Sequence, residues 1–396
     1  MSIKGFFSAS KTTKPPSIVP RCGLCGLHKQ CKSPRMPVTG EGLRKILMVA
    51  EAPGEQEDEE GVQLVGKVGQ HFRKILRKLD VDLDRDCWKT NAIICRPPDN
   101  DIKDQHVEAC RPCLMKTIEE LNPDVIVLLG GKAVQSLIGR IWRESPGGVS
   151  RWVGWRIPSR ELNVWVCPTW HPSYLLRKAN VVLDRQFEQQ LEKALELRGK
   201  PWGDDGACEP IIERIYDSAE AAAAIREMSA VSQVVSFDYE CDRLKPDHRD
   251  ARIVCAAVSN GERTIAFPWA REAITAMATM LSGPVPKIGW NIKFEERWTR
   301  RVFGHGVNNW VWDGMQNTHV LDNRQSITSL KFQMFVQLGV GEYDATVSPY
   351  LKASSGNEPN RIRQVDMSDL LLYNGMDAWG TIEVARIQKK EISDGA

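Results

Sequence analysis

The sequence predicts an α/β protein made of two successive α/β domains, the first around a parallel sheet. Three observations carry this. Short, continuous apolar runs alternate with segments of helical periodicity, the pattern of parallel strands joined by helices. The 396 residues exceed the ~100–200 residues expected of one domain. A polar, turn-rich stretch, Gly199-Lys-Pro-Trp-Gly-Asp-Asp-Gly206, interrupts the alternation midway, as linkers do. Hydrophobic content of 42% and charged content of 26% suit ordinary globular cores. A net charge of only +2 excludes a histone-like polycation, but not a local basic groove.

In order, residues 1–20 read as a mobile tail with little to bury. Within it, Ile3, Phe6 and Phe7 have the Ile-x-x-Phe-Phe spacing of peptides that plug into sliding clamps. The bland reading is a sticky, unstructured end. Ile46–Ala50 is a short apolar run, as expected of a buried parallel strand. Lys67 to Leu79 has helical periodicity through Phe72, Ile75, Leu76 and Leu79. A strand follows over Trp88–Cys95, then a helix over about Asp104–Leu121. Asp124–Leu129 is another buried strand, and Gly130-Gly131 opens a helix through Leu137. Asn163–Pro168 is a strand running into Thr169-Trp-His171-Pro172, and Leu183–Leu197 is an amphipathic helix. Glu51, Asn91 and His171 each fall at or near a strand C-terminus, where open parallel sheets place ligands.

After the linker, set at 199–212, a second pattern begins. Ser218–Met228 is an Ala-rich helix, and Gln233–Phe237 a strand ending in Asp238-Tyr-Glu240. Arg252–Val258 and Thr264–Phe267 pair as strands. Lys287–Trp290 is a strand before a helix from Asn291 to Arg301. Asp369 to Lys389 is mostly helical. No apolar run approaches the ~20 residues that span a bilayer, and no signal-peptide core follows Met1. The expected location is the cytoplasm, where structural disulfides are rare. The eleven cysteines are then thiols and metal ligands.

Cys22-x-x-Cys25 places two thiolates on one tight turn, a half-site for zinc or iron–sulfur. Spacing leaves two candidates for the other half: Cys95 with Cys110, or Cys110 with Cys113. Buried free thiols are the bland alternative.

Beyond spacing, several motifs occur in a fixed order. These are Val49-Ala-Glu51-Ala-Pro-Gly54, Gly61-x-x-Leu64-Val-Gly66-x-x-Gly69, Thr90-Asn91-x-x-x-Cys95-Arg-Pro-Pro98, Leu128-Leu-Gly130 and His171-Pro-Ser-Tyr-Leu-Leu176. Over about residues 21–190 the chain resembles family 4 uracil-DNA glycosylase. The resemblance implies a three-layer domain over 21–198 with a [4Fe–4S] cluster on Cys22, Cys25, Cys95 and Cys110. Cys31 and Cys113 are then spare. It implies that Glu51 orients or activates the attacking water, that Asn91 reads uracil, and that His171 stabilises charge on the departing base.

Each role has a physical basis. Cleaving the N-glycosidic bond leaves uracil as an anion, and a donor at its carbonyl stabilises that charge in a dry pocket. A carboxylate near the sugar positions water. A side-chain amide pairs with both O4 and N3–H and so separates uracil from cytosine. The base must first leave the stack, and Leu175, Leu176 and Arg177 are placed to wedge into the gap. One departure stands out. The family carries Phe where this chain has Leu64, which keeps an apolar wall but gives up aromatic stacking worth ~1–3 kcal/mol per base.

In the second domain, Asp238-Tyr-Glu240 puts two carboxylates on one side of a strand, a pair able to bind Mg²⁺. Lys287-Ile-Gly-Trp-Asn291-Ile-Lys-Phe-Glu295 brings a third carboxylate. Tyr373-Asn-Gly-Met-Asp377 stacks a tyrosine and a fourth at i and i+4 on a helix. Together these resemble the proofreading 3′–5′ exonuclease domain of family A DNA polymerases over 213–392. The resemblance implies a ribonuclease H-like mixed sheet. It implies two Mg²⁺ or Mn²⁺ ions on Asp238, Glu240, Glu295 and Asp377, with Tyr373 helping to place the attacking water. Glu295 departs from the usual Asp by one methylene.

The expected activity is therefore uracil excision from DNA combined with 3′–5′ proofreading. A competing reading makes the first domain a non-catalytic uracil or DNA sensor fused to an active exonuclease, and a third makes it a zinc-stabilised scaffold. Some phage polymerases resemble a fusion of glycosylase-like, exonuclease and polymerase parts. Here the sequence ends at Ala396, as expected either of a separate subunit of a split replicase, with a family A-type polymerase subunit as partner, or of a fragment; DNA is the expected substrate.

Overall fold

The structure, a computed structural model, describes residues 22–142, 144–203, 210–355 and 358–395. The clamp-like Ile3, Phe6 and Phe7 lie outside the described residues. The chain divides into two compact units whose boundary falls within 204–209, and Val336–Gly341 is grouped with the first unit. Among the described residues, no helix is long and apolar enough to cross a membrane.

The first unit runs β1 (Ile46–Ala50), α1 (Glu55–Glu60), α2 (Lys67–Lys78), β2 (Cys87–Asn91), α3 (Asp104–Leu121), β3 (Val125–Leu129), α4 (Gly131–Ile141), β4 (Ile157–Ser159), β5 (Val164–Thr169), α5 (Pro172–Lys178) and α6 (Val181–Leu195). Its sheet has the order β2-β1-β3-β5-β4. All neighbours are parallel except β4, which pairs antiparallel to β5 at the edge. Every residue of β1 and β3 is buried, so both faces of the sheet are covered. Ile46, Met48 and Ala50 share one core with Phe72, Ile75 and Leu76 of α2 and with Phe187 and Leu191 of α6. On the other side α4 packs on β1 and β3, and α3 packs on α4. The unit is thus three-layered.

The expected strand over Trp88–Cys95 is shorter. It starts at Cys87 and ends at Asn91, because its parallel partner β1 ends at Ala50, which is in register with Asn91. Two more backbone bonds, Ala92 N–H to the Ala50 carbonyl (2.8 Å) and Ile93 N–H to the Glu51 carbonyl (3.1 Å), carry the chain on before it bends. The edge strand β4 and the helices α1 and α5 were not signalled by periodicity. Each is seven residues or shorter, too short to show a period.

The second unit runs β6 (Ile212–Arg214), α7 (Ser218–Val231), β7 (Val235–Cys241), β8 (Ile253–Ser259), β9 (Thr264–Pro268), α8 (Arg271–Ser282), β10 (Lys287–Gly289), α9 (Lys293–Phe303), β11 (Trp310–Asp313), α10 (Gly314–Leu321), α11 (Leu330–Leu338), α12 (Ser348–Leu351) and α13 (Met367–Gly395). The sheet is mixed, in the order β11-β10-β7-β8-β9-β6, with β8 antiparallel to both β7 and β9. Ile212, assigned to the linker by composition, instead opens an edge strand parallel to β9. Alternation along β7 splits its side chains. Val235, Phe237, Tyr239 and Cys241 enter the core with α7 and α8. On the opposite face, Ser236 donates from Oγ to the Ala378 carbonyl of α13 (2.6 Å), so Asp238 and Glu240 face that long helix.

Candidate active sites

The first site forms where β1, β2, β3 and β5 end side by side. Asn91 is the last residue of β2, Glu51 follows β1, Gly130 follows β3, and His171 caps α5 two residues beyond Thr169 of β5's register. Gly130 holds this edge together. Its φ is +98°, and a Cβ there would sit 2.6 Å from Glu51 Oε1 and 2.9 Å from His171 Cβ. Only a residue without a side chain lets the two functional groups approach. Glu51 Oε1 also accepts the Lys132 backbone N–H at the start of α4 (3.0 Å), which fixes the carboxylate.

His171 Nδ1 accepts the Ser173 backbone N–H (3.2 Å) and lies 2.7 Å from Ser173 Oγ. A ring nitrogen that accepts there leaves Nε2 to carry the proton. Burial pushes the imidazole below its usual range, partly offset by the Glu51 carboxylate. The ring is therefore a neutral Nε2–H donor at neutral pH. Asn91 is 3% exposed, and its Nδ2 is buried with no hydrogen-bond partner. An orphaned buried amide donor is rare, and it fits a group that completes its bonds on a base.

Leu64 is 6% exposed and belongs to the core with Ala50, Phe72 and Leu175. It adopts φ +57°, a conformation costing a leucine ~1–2 kcal/mol, with its backbone pressed against Gly69 of α2. Leu175 is 1% exposed in the same core. It cannot enter a duplex, which corrects the expectation for it. Leu176 is exposed and Arg177 projects beside it, bonded through NH1 to Ser173 Oγ (3.1 Å). A cleft of about 530 Å³ adjoins Leu176 and carries Lys67, His71 and Lys74.

The cysteines gather. The Cys113 thiol is in hydrogen-bond contact with both Cys22 and Cys110, and Cys31 contacts Cys95. Cys25, Cys31, Cys95 and Cys110 share one small apolar cluster with Leu27 and Ile93. Arg35 donates its backbone N–H to Cys95 Sγ (3.2 Å). The contact with Cys110 lowers Cys113 to about 6, while contact with Cys113, then burial, raises Cys110. Tetrahedral zinc, with Zn–S ~2.3 Å, would draw thiolates to roughly 3.8 Å of one another. Among the described residues, the one group of three or more potential ligand atoms within 4.8 Å is acidic, not thiol. A cluster of cysteine thiols is a donor set that fits an iron–sulfur cluster.

That acidic group is the second site. Carboxylate oxygens of Asp238, Glu240 and Asp377 all lie within 4.8 Å of one another. Burial and mutual repulsion raise Asp238 and Glu240 well above the carboxylate range, and burial raises Asp377. Desolvated carboxylates aimed at one point suit a divalent cation. Glu295, at the start of α9, is 2% exposed and stands outside the trio. Its Oε2 is buried without a partner, and burial, then Asp238, raises its pKa well above the usual range. It is thus near the trio with an unfilled ligand atom. Tyr373 lies within hydrogen-bond reach of Asp377, as the i, i+4 spacing on α13 allows.

Three neighbours escaped the sequence reading. Tyr343 donates its hydroxyl to Asp377 Oδ1 and stacks on Tyr373, with ring centroids 5.8 Å apart. Asn374 donates Nδ2 to Asp238 Oδ2 (2.6 Å). Lys331 Nζ sits 5.2 Å from the centre of the Tyr373 ring and pairs with Asp344 (2.7 Å). Only Asn374 had a signal, its place inside the Tyr373–Asp377 motif.

The two sites define a nucleic-acid hydrolase with two catalytic units, one shaped to hold a base and one to hold metal ions. The chain belongs to the type-4 uracil-DNA glycosylase family. It is 36% identical over 180 residues to the type-4 uracil-DNA glycosylase of Pyrobaculum aerophilum, covering 44% of this chain and 88% of that protein. It is 35% identical over 182 residues to that of Thermotoga maritima, covering 44% and 88%. The family model of the uracil DNA glycosylase superfamily matches residues 37–196, and that of the 3′–5′ exonuclease matches 212–393. Among solved structures, Escherichia coli RNase D aligns at 12% identity over 47% of this chain and 46% of its own, with a TM-score of 0.33.

Proposed function

We propose that this protein excises uracil from DNA by hydrolysing the N-glycosidic bond in its first unit and removes 3′ nucleotides in its second. The observation that carries the first half is the Gly130-spaced pairing of Glu51 with His171 beside the partnerless Asn91 amide. A flipped uracil offers O4 to Asn91 Nδ2 and N3–H to Asn91 Oδ1. Cytosine would present a second donor to Nδ2 and be refused. His171, neutral with its proton on Nε2, donates to the carbonyl where negative charge develops. Glu51, held by the Lys132 N–H, orients the water toward C1′ and supports positive charge on the sugar. Leu64 supplies an apolar wall. Leu176 and Arg177 fill the gap in the stack, and Lys67 and Lys74 line the adjoining cleft along a phosphate path.

Cys22, Cys25, Cys95 and Cys110 would hold the [4Fe–4S] cluster, which ties the segment after residue 21 to the β2 loop and α3. Asp238, Glu240 and Asp377, with Glu295, would hold two Mg²⁺ or Mn²⁺ ions. When bound, these supply Lewis-acid activation of water and of the scissile phosphate. Tyr373, braced by Tyr343 and Asp377, orients the attacking water, while Asn374 fixes Asp238. The sensor-only reading is not favoured, because Glu51 and His171 are both present and juxtaposed. In cells the protein would act in the cytoplasm beside a family A-type polymerase.

The test uses anaerobically purified protein and a 5′-labelled oligonucleotide with one internal uracil, incubated with Mg²⁺ or with EDTA and then treated with alkali. Cleavage at uracil that persists in EDTA, beside a Mg²⁺-dependent ladder from the 3′ end, is the expected result. A ladder with no EDTA-resistant cut at uracil would overturn the glycosylase assignment.

A further inference from the structure

The iron–sulfur assignment uses four of six thiols that the fold brings together, and the remaining two are not scattered. Cys113 lies three residues after Cys110 on α3, a spacing that puts both on one helix face. Its thiol is in hydrogen-bond contact with both Cys110 and Cys22. These two proposed ligands belong to segments far apart in sequence, and Cys113 lies against both. Cys31 stands in the same way against Cys95. Thiolate ligands exchange by one sulfur leaving iron as another binds, so a sulfur already in contact needs no rearrangement of the chain to replace its neighbour. Spacing alone had left Cys95–Cys110 and Cys110–Cys113 both open, and the fold accommodates both pairs in one nest.

We propose that Cys113 is a standby ligand of the cluster, able to take the iron position vacated when Cys110 or Cys22 is lost. The exchange is redox-neutral: one Fe–S(thiolate) bond breaks, one forms, and the proton lost by Cys113 is taken up by the departing thiolate or by solvent. The proposal rests on the iron–sulfur reading above.

The experiment compares full-length wild type, Cys110→Ser, Cys113→Ser and the double variant, all purified anaerobically. It measures iron and acid-labile sulfide per chain and the iodoacetamide labelling of Cys113 by mass spectrometry. Cys113→Ser should match wild type. Cys110→Ser should retain more than half the wild-type iron, and its Cys113 should become protected from alkylation. The double variant should lose the cluster. Equal iron loss in Cys110→Ser and the double variant would overturn the proposal, as would loss in Cys113→Ser alone. Iron-free wild type would instead bring down the iron–sulfur reading itself. The Mg²⁺-dependent 3′ ladder and the circular dichroism spectrum report folding. If Cys110→Ser fails them, Cys22→Ser, whose residue also touches Cys113, takes its place with the same expected outcomes.

Discussion

Replacing Gly130 by alanine is the sharpest probe of the uracil site. The added Cβ would lie 2.6 Å from Glu51 Oε1, 2.8 Å from its Cδ and 2.9 Å from His171 Cβ, where ordinary contact begins at 3.4 Å. Relief of both contacts requires Glu51 to move by about 0.8 Å and His171 by about half an ångström. The φ of +98° adds ~1–2 kcal/mol for any residue with a Cβ. A misplacement of ~1 Å at reacting groups costs ~100-fold in rate. Gly130→Ala should therefore lower single-turnover uracil excision by ~30–100-fold. Single-turnover assay under EDTA isolates the chemical step, and the Mg²⁺-dependent ladder from the same preparation should be unchanged. Excision within threefold of wild type would refute the claim that Glu51 and His171 act as a closely spaced pair.

Other outcomes follow from the same geometry. Asn91→Ala removes two neutral hydrogen bonds to the base, each worth ~1 kcal/mol; kcat/KM on uracil should fall ~10–100-fold with melting temperature preserved, and undiminished excision would refute base reading by Asn91. Leu175→Ala should destabilise the first unit by ~2–5 kcal/mol. Leu176→Ala should leave its melting temperature unchanged while weakening binding to uracil-containing duplex; thermal scans and fluorescence anisotropy separate the two. In the second unit, Asp238, Glu240, Glu295 and Asp377 all have raised folded pKa values. The folded state therefore holds protons that the unfolded state has released, and metal-free stability should fall as pH rises above the ordinary carboxylate range. Calorimetry in EDTA should show that decline between pH 5 and 8. Divalent ion at ~100 times its Kd should restore ~2.7 kcal/mol. Greater metal-free stability at pH 8 than at pH 6 would contradict the buried-carboxylate account.

Most central strands were legible because burial on two faces writes itself as continuous apolar runs, as in β1 and β3, while the short strands β4, β6 and β11 and the helices α8, α10 and α11 were not read. What sequence could not show was contact across distance. Nothing in Leu175-Leu176 says which leucine turns inward; that follows from α5 lying with Leu175 against the core of α2 and α6. Nothing around Tyr343 or Lys331 announces that they meet Asp377 and Tyr373, since α11 and the loop after it carry no motif. Glu295 was found as a ligand type. Its stand apart from the trio is a matter of side-chain length and backbone position that spacing does not encode.

The short length of β2 has a consequence of its own. Asn91, proposed to read the base, and Cys95, which the cluster would grip, are separated by only Ala92, Ile93 and Ile94, and the first two of these are pinned by single backbone bonds to Ala50 and Glu51. Oxidants that strip iron from the nest would slacken the very peptide that aims the Asn91 amide. Damage by oxygen should thus surface first as errors in telling uracil from cytosine, while the protein still melts as a folded molecule. A cell under oxidative stress would carry an enzyme whose discrimination fails before its structure does.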